Sequence, residues 1–327
     1  MDGLSVDVSQ GVFLDLASVD NGDLDGRALD RSLAGWQWYG HSSAHEISER
    51  INTAEVVVTN KCVLDRDILV RAKNLKLIVI AATGTEIVDL EAATKSGITV
   101  CNIRNYATGS VAQHVITLIL NLVSSQTYYL DRVRRGDWSR AEQFSLHDKT
   151  IQELADLQLG IIGYGVVGRA VARLARALGM NVLVAGHRGS ESRLDRLDFG
   201  KVMAIADVVS IHCTLNNETR GMIDRRVLQS MKPGAVLINT ARGGIVNEQD
   251  LADSLRAGEI GGAGVDTLSV EPPPADHPLL TNDIPNLIVT PHNAWASRTA
   301  RQACLDQLAE VIIAYRHGQP INRVSMN

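Results

Sequence analysis

Short runs rich in valine and isoleucine alternate with helix-period segments along nearly the whole chain. Val12-Phe13-Leu14, Val56-Val57-Val58, Leu77-Ile78-Val79-Ile80 and Ile98-Thr99-Val100 form a first series. Leu159-Gly160-Ile161-Ile162, Val182-Leu183-Val184, Val208-Val209-Ser210-Ile211, Val236-Leu237-Ile238-Asn239, Ala263-Gly264-Val265 and Leu287-Ile288-Val289 form a second. A strand apolar at successive positions is buried on both faces, and crossover helices provide that cover in a parallel sheet. The pattern predicts an α/β chain of two doubly wound parallel-sheet domains. A length of 327 residues accommodates two such domains.

Between the two series a helical stripe runs from Ser110 through Ala112, Val115, Ile116, Ile119 and Leu120 to about Tyr129, followed by a polar stretch from Arg132 to Lys149. A last helical pattern, Ser297 to Tyr315, is long enough to cross back to the first domain. The expected organisation is therefore discontinuous, with residues 1–103 and 294–327 forming one domain and residues 104–293 inserted as the other.

Charge narrows the partners. Lys and Arg number 32 against 37 Asp and Glu, giving a net charge of −5 with no basic stripe, so a small molecule is expected rather than nucleic acid. The apolar stretch Val115 to Val123 is interrupted by Thr117 and Asn121 and falls short of the roughly 20 residues of a membrane span. Met1-Asp2-Gly3-Leu4 lacks the cationic start of a signal peptide. Cys62, Cys101, Cys213 and Cys304 show no metal-type spacing, which predicts reduced thiols and a cytoplasmic protein. His41, His45 and Glu46 have a helical spacing, but no further ligand block accompanies them and no metal is expected.

Gly163-Tyr164-Gly165-Val166-Val167-Gly168 follows the strand ending at Ile162 and opens a helix. In such a loop the first glycine permits the tight turn, the second admits a pyrophosphate to the backbone, and the third lets helix and strand pack closely. With a further strand at Val182, the context is that of a dinucleotide-binding (Rossmann-type) unit, with Gly163, Gly165, Val166, Val167 and Gly168 at the phosphates. The position where an acid would bind the adenosine ribose is Gly186, followed by His187 and Arg188, with Arg193 nearby. A missing carboxylate beside a cation suits a 2′-phosphate, so NADP(H) is favoured over NAD(H). A permissive site, with Arg188 a solvated charge, is the alternative.

Arg242, Glu271 and His292 lie at or just past the carboxyl ends of later strands, where open α/β sheets bind ligands. With Val270-Glu271-Pro272-Pro273 and Pro291-His292-Asn293-Ala294-Trp295, the chain resembles the D-isomer-specific 2-hydroxyacid dehydrogenases over nearly its whole length, and within them the glycerate dehydrogenase/hydroxypyruvate reductase branch. The resemblance implies a Rossmann-type cofactor domain inserted in a flavodoxin-like substrate domain, and reduction of a small 2-keto acid such as hydroxypyruvate or glyoxylate to the D-2-hydroxyacid. His292 would deliver and recover the proton, Glu271 would fix its tautomer and favour its charged form, and Arg242 would clamp the substrate carboxylate with a fork that lysine lacks. Thr83 and Gly84, in Ala82-Thr83-Gly84-Thr85, match the loop whose backbone N–H groups bind that carboxylate, and Trp295 would wall the pocket. Asp266 matches the residue at the nicotinamide carboxamide. Thr108 and Val111, where the chain enters the cofactor domain, together with Cys213, Thr219, Thr240 and Ala241, complete the expected cofactor lining. A homodimer built through the cofactor domain is implied as well.

Two departures stand out. His212-Cys213-Thr214-Leu215 replaces the family's His-x-Pro-Leu, and Glu86-Ile87 stands where Asn-Asn or Asp-His is common. His212 and Cys213, adjacent on a strand, point to opposite faces and are not read as a nucleophile pair. A dinucleotide-sensing binding protein of the corepressor kind, or a formate or phosphite dehydrogenase, remains as an alternative use of the same fold.

Overall fold

The computed structural model describes residues 6–189 and 195–325. Contacts divide the chain into two compact units, Met1–Ala107 with Ala296–Asn327, and Thr108–Trp295.

The first unit runs β1 (Gln10–Phe13), α1 (Arg27–Asp30), β2 (Gly35–Trp38), α2 (Ala44–Arg50), β3 (Val56–Thr59), α3 (Arg66–Arg71), β4 (Leu77–Ile80), α4 (Leu90–Lys95) and β5 (Thr99–Asn102). Its sheet is parallel with order β2-β1-β3-β4-β5. The two-residue period of a strand sends Phe13, Val56, Val58, Leu77 and Val79 to one face and Val12, Leu14, Val57, Ile78 and Ile80 to the other. Ile47, Ile51 and Leu69 cover the second face. The first is covered from the far end of the sequence, by Cys304, Leu305, Leu308, Ile312 and Tyr315 of a long helix, Arg298–Arg316. Strand β2 escapes the apolar-run reading because Gln37 separates its two tryptophans, and only β1 pairs with it, at the sheet edge.

The second unit begins with α5 (Thr108–Val123) and α6 (Gln126–Arg134), then β6 (Gln158–Ile162), α7 (Val166–Ala177), β7 (Asn181–Val184), α8 (Phe199–Ile205), β8 (Val208–Ile211), α9 (Arg225–Ser230), β9 (Val236–Asn239), α10 (Glu248–Arg256), β10 (Gly262–Val265) and β11 (Leu287–Val289); the helix Arg298–Arg316 is α11. The sequence period predicts one helix from Ser110 to about Tyr129, and here the structure corrects it. Ser125 takes a left-handed conformation at φ 50°, which an α-helix cannot pass through, so α5 ends at Val123 and α6 starts afresh at Gln126. Within the polar stretch that follows, Arg132 bridges Asp137 and Asp148.

All pairings in the second sheet are parallel, in the order β11-β10-β9-β8-β6-β7. Leu197 extends it by a single parallel bridge to Ala185. One face packs on α5 and α7 through Leu159, Ile161, Val208 and Ile238, and the other on α8, α9 and α10 through Ile162, Val209, Ile211 and Leu237. The order in which successive strands are added reverses between β6 and β8, and the carboxyl ends flanking such a switch point form a crevice.

Candidate active site

That crevice is built by glycines. A Cβ on Gly163, which sits at φ 90°, would fall 2.5 Å from the Cys213 nitrogen, so the turn after β6 can press against the end of β8 only without a side chain. A Cβ on Gly168 would meet the Gly163 carbonyl oxygen at 2.3 Å. At Gly165 it would meet nothing within 4 Å. Gly165 is also the N-cap of α7 and supplies no side-chain cap, so open space faces backbone N–H groups at a helix start, which a pyrophosphate fits. Val166 is exposed at the mouth, whereas Val167 packs into the core behind it.

A cavity of 410 Å³ continues from this loop, lined by Gly163, Gly186, His187, Arg188, Arg196, Cys213 and Thr219 among others. Arg188 reaches the Met222 carbonyl at 3.0 Å and approaches Asp224 at 3.8 Å. Arg196, which spacing alone did not single out, lines the same cavity; Arg193 lies outside the described residues. Burial pushes the Cys213 thiol up, keeping it protonated. Thr219 Oγ donates to the Thr214 carbonyl at 2.7 Å, closing the loop from which the proline is missing.

Beyond β9, the buried Asn239 amide donates to the Arg242 carbonyl at 2.9 Å and accepts from the Ala241 N–H at 3.1 Å, shaping the turn that presents Arg242. Asn239 is a support of this turn whose only signal in the sequence is a polar residue ending an apolar strand. Arg242 Nη1 donates to the Ala241 carbonyl at 2.8 Å. Beside it, Thr240 has a buried hydroxyl with no hydrogen-bond partner among the described residues.

Glu271 and His292 are brought together. Glu271 Oε2 lies 2.6 Å from His292 Nδ1, and Glu271 Oε1 accepts the Leu268 N–H at 2.8 Å. A carboxylate at Nδ1 assigns the proton to that nitrogen and leaves Nε2 for chemistry. His292 stands at φ 49°, a left-handed conformation costing on the order of 1 kcal/mol that persists only where its surroundings enforce it. Asp266 does the enforcing. It is 1% exposed, its carboxylate accepts the Thr290 hydroxyl at 2.5 Å, the Asn293 N–H at 3.0 Å and the Ala294 N–H at 3.0 Å, and its carbonyl takes the His292 N–H at 2.9 Å. Trp295 Nε1 donates to the His292 carbonyl at 2.9 Å, and His114 meets the Thr290 hydroxyl at 3.0 Å. The resemblance implies a cofactor role for Asp266; these hydrogen bonds add a second one, bracing the His292 turn.

Thr83 and Gly84 lie in the first unit on the loop after β4, where Asn102 Nδ2 donates to the Thr83 carbonyl at 2.7 Å. Thr108 opens α5, and Val111 packs on the core under it. Among the described residues no group of three or more His, Cys, Asp and Glu side chains is placed to hold a metal, and no helix is long and apolar enough to cross a membrane.

A dinucleotide crevice beside a carboxylate–histidine pair defines an NAD(P)-dependent oxidoreductase. Residues 116–294 match the model of the D-isomer specific 2-hydroxyacid dehydrogenase NAD binding domain. The chain is 44% identical to a glycerate dehydrogenase of Methylorubrum extorquens over 85% of its own length and 88% of that protein's. It is 33% identical to a hydroxypyruvate reductase of Blautia hydrogenotrophica over 96% and 99%. The D-lactate dehydrogenase of Aquifex aeolicus, solved with NAD and lactic acid, superposes with a TM-score of 0.82 at 28% identity over 97% of this chain and 99% of that one. The chain belongs to the D-isomer-specific 2-hydroxyacid dehydrogenase family, in its glycerate dehydrogenase branch.

Proposed function

We propose that this enzyme reduces hydroxypyruvate to the D-2-hydroxyacid, or glyoxylate to the achiral glycolate, at the expense of NADPH, with His292 as general acid and, in reverse, general base. The observation that carries this reading is the 2.6 Å contact of Glu271 with His292 Nδ1 on a backbone turned to φ 49°. The bound nicotinamide supplies the hydride. The chain does the rest: His292 Nε2 passes a proton to the keto oxygen, and Glu271 stabilises the imidazolium before transfer. Arg242 binds the carboxylate in bidentate fashion and polarises the carbonyl, and the Thr83 and Gly84 amides bind carboxylate oxygen. Trp295 limits the bulk at C3, and a lone pair left on Asp266 receives the carboxamide. Thr108, Thr240 and Ala241 border the dinucleotide. Gly186, with Arg188 beside it, supports NADP(H), because no carboxylate occupies the strand end to repel a 2′-phosphate. A homodimer through the second unit is part of the proposal, motivated by the exposed Val133, Trp138 and Phe144 of that unit, and light scattering tests it.

Loss of nicotinamide absorbance with purified protein, NADPH or NADH, and hydroxypyruvate, glyoxylate or pyruvate tests the reaction. Faster oxidation of NADPH with hydroxypyruvate or glyoxylate is the expected result. Cofactor binding without turnover on any keto acid refutes the reading, in favour of a sensor or of a formate or phosphite donor.

A further inference from the structure

From Leu268 to His277 the chain forms no helix or strand, and Ser269, Val270 and Glu271 are exposed. Yet Glu271 meets His292 at 2.6 Å. One side chain outside the loop ties both of its ends. Glu248, the first residue of α10, accepts the Ser269 N–H on Oε1 at 2.7 Å and the Ser269 hydroxyl on Oε2 at 2.6 Å. The same Oε2 meets Nε2 of the buried His277 at 3.0 Å. His277 Nδ1 accepts the Leu279 N–H at 3.2 Å, which assigns the ring proton to Nε2, where it donates to Glu248. Capping of α10 does not occupy Glu248, because the Asn247 side chain already accepts the Asp250 N–H. The staple ends next to Leu268, whose N–H holds the second oxygen of Glu271. Leu268 is pressed from the other side by Gly243, where a Cβ would come within 2.0 Å of the Leu268 carbonyl.

We propose that Glu248, held by His277, is a positioning residue for the dehydrogenase reaction: it fixes the loop that carries Glu271 and, through Glu271, the ring of His292. The proposal rests on the catalytic reading of that pair. A misplacement of about 1 Å in a reacting group can lower a rate by up to about 10²-fold, and Glu248 ties this exposed stretch at both Ser269 and His277.

The test measures kcat, KM and NADPH dissociation constants for the full-length Glu248→Gln, Glu271→Gln and doubly substituted enzymes, with hydroxypyruvate and glyoxylate. In Glu248→Gln the amide can keep the Ser269 N–H but turns its NH2 toward the His277 N–H, donor against donor. The expected result is a kcat lower by about ten-fold with NADPH affinity within about two-fold, and a double variant no slower than Glu271→Gln alone. Multiplying losses mean that Glu248 acts by another route and overturn the inference. Normal turnover in Glu248→Gln beside slow Glu271→Gln overturns the inference alone; normal turnover in Glu271→Gln removes the catalytic reading beneath it. His277 gives an independent check. Glutamine there can still donate to Glu248, so His277→Gln is expected to keep near-normal kcat while His277→Ala loses several-fold, and equal rates for the two overturn the inference.

Discussion

Replacing Asp266 with asparagine isolates what holds His292 in its left-handed turn. The carboxylate receives three donors, the Thr290 hydroxyl and the Asn293 N–H on one oxygen and the Ala294 N–H on the other, at a site 1% exposed. An asparagine keeps its oxygen toward the pair and sets its NH2 against the Ala294 N–H. One buried N–H is then unsatisfied, costing about 1–3 kcal/mol, and two charge-assisted bonds become neutral, costing about 0.5–1 kcal/mol each. The sum is about 3 kcal/mol, or roughly 6–12 °C in Tm for a unit of this size. The assay is thermal unfolding followed by circular dichroism without cofactor, which separates this bracing from any contact Asp266 makes with the nicotinamide. A Tm within about 2 °C of the parent would show that the turn is held by other means and refute the argument.

His292→Ala is expected to lower turnover by roughly two to four orders of magnitude with dinucleotide binding retained, and stopped-flow turnover beside fluorescence titration checks both halves. Arg242→Lys keeps the charge but loses the fork, so most activity should go; near-normal kcat/KM would remove the clamp assignment. Gly186→Asp places a carboxylate at the end of β7 and should move the kcat/KM ratio toward NADH, whereas an unchanged ratio would show that Arg188 does not read the phosphate. Burial pushes the His212 imidazole down to about 4, so the unfolded chain takes up a proton near pH 6.5 that the folded chain refuses. Stability is therefore fully present above about pH 6.5 and is lost as pH falls toward 4, and His212→Gln should flatten that slope in Tm measurements; parallel slopes would contradict it.

Sequence made legible those features that rest on period and spacing. The apolar runs gave the strands because parallel strands are buried on both faces, and the glycine loop was readable because each glycine answers a local steric demand. Strand β2 was not, since an edge strand needs little apolar content, and the break at Ser125 is a single left-handed residue inside an otherwise continuous helical period. At the site, Glu271 and His292 stood out as residue types in a resembling pattern. The supports Asn239, Glu248 and His277, and the bracing role of Asp266, did not. Their partners are distant in sequence or are backbone groups, and a chain read in one dimension shows neither.

The helix that covers one face of the first sheet lies at the other end of the polypeptide. During synthesis, Phe13, Val56, Val58, Leu77 and Val79 are all translated long before Cys304 to Tyr315, which bury them. At about 5–20 residues per second, some 200 residues separate β5 from that cover, a delay of roughly 10–40 s. Residues 108–295 form a continuous stretch and can complete their own core in that interval. The nascent chain thus carries an open apolar sheet face for the whole time in which the second unit completes its own core.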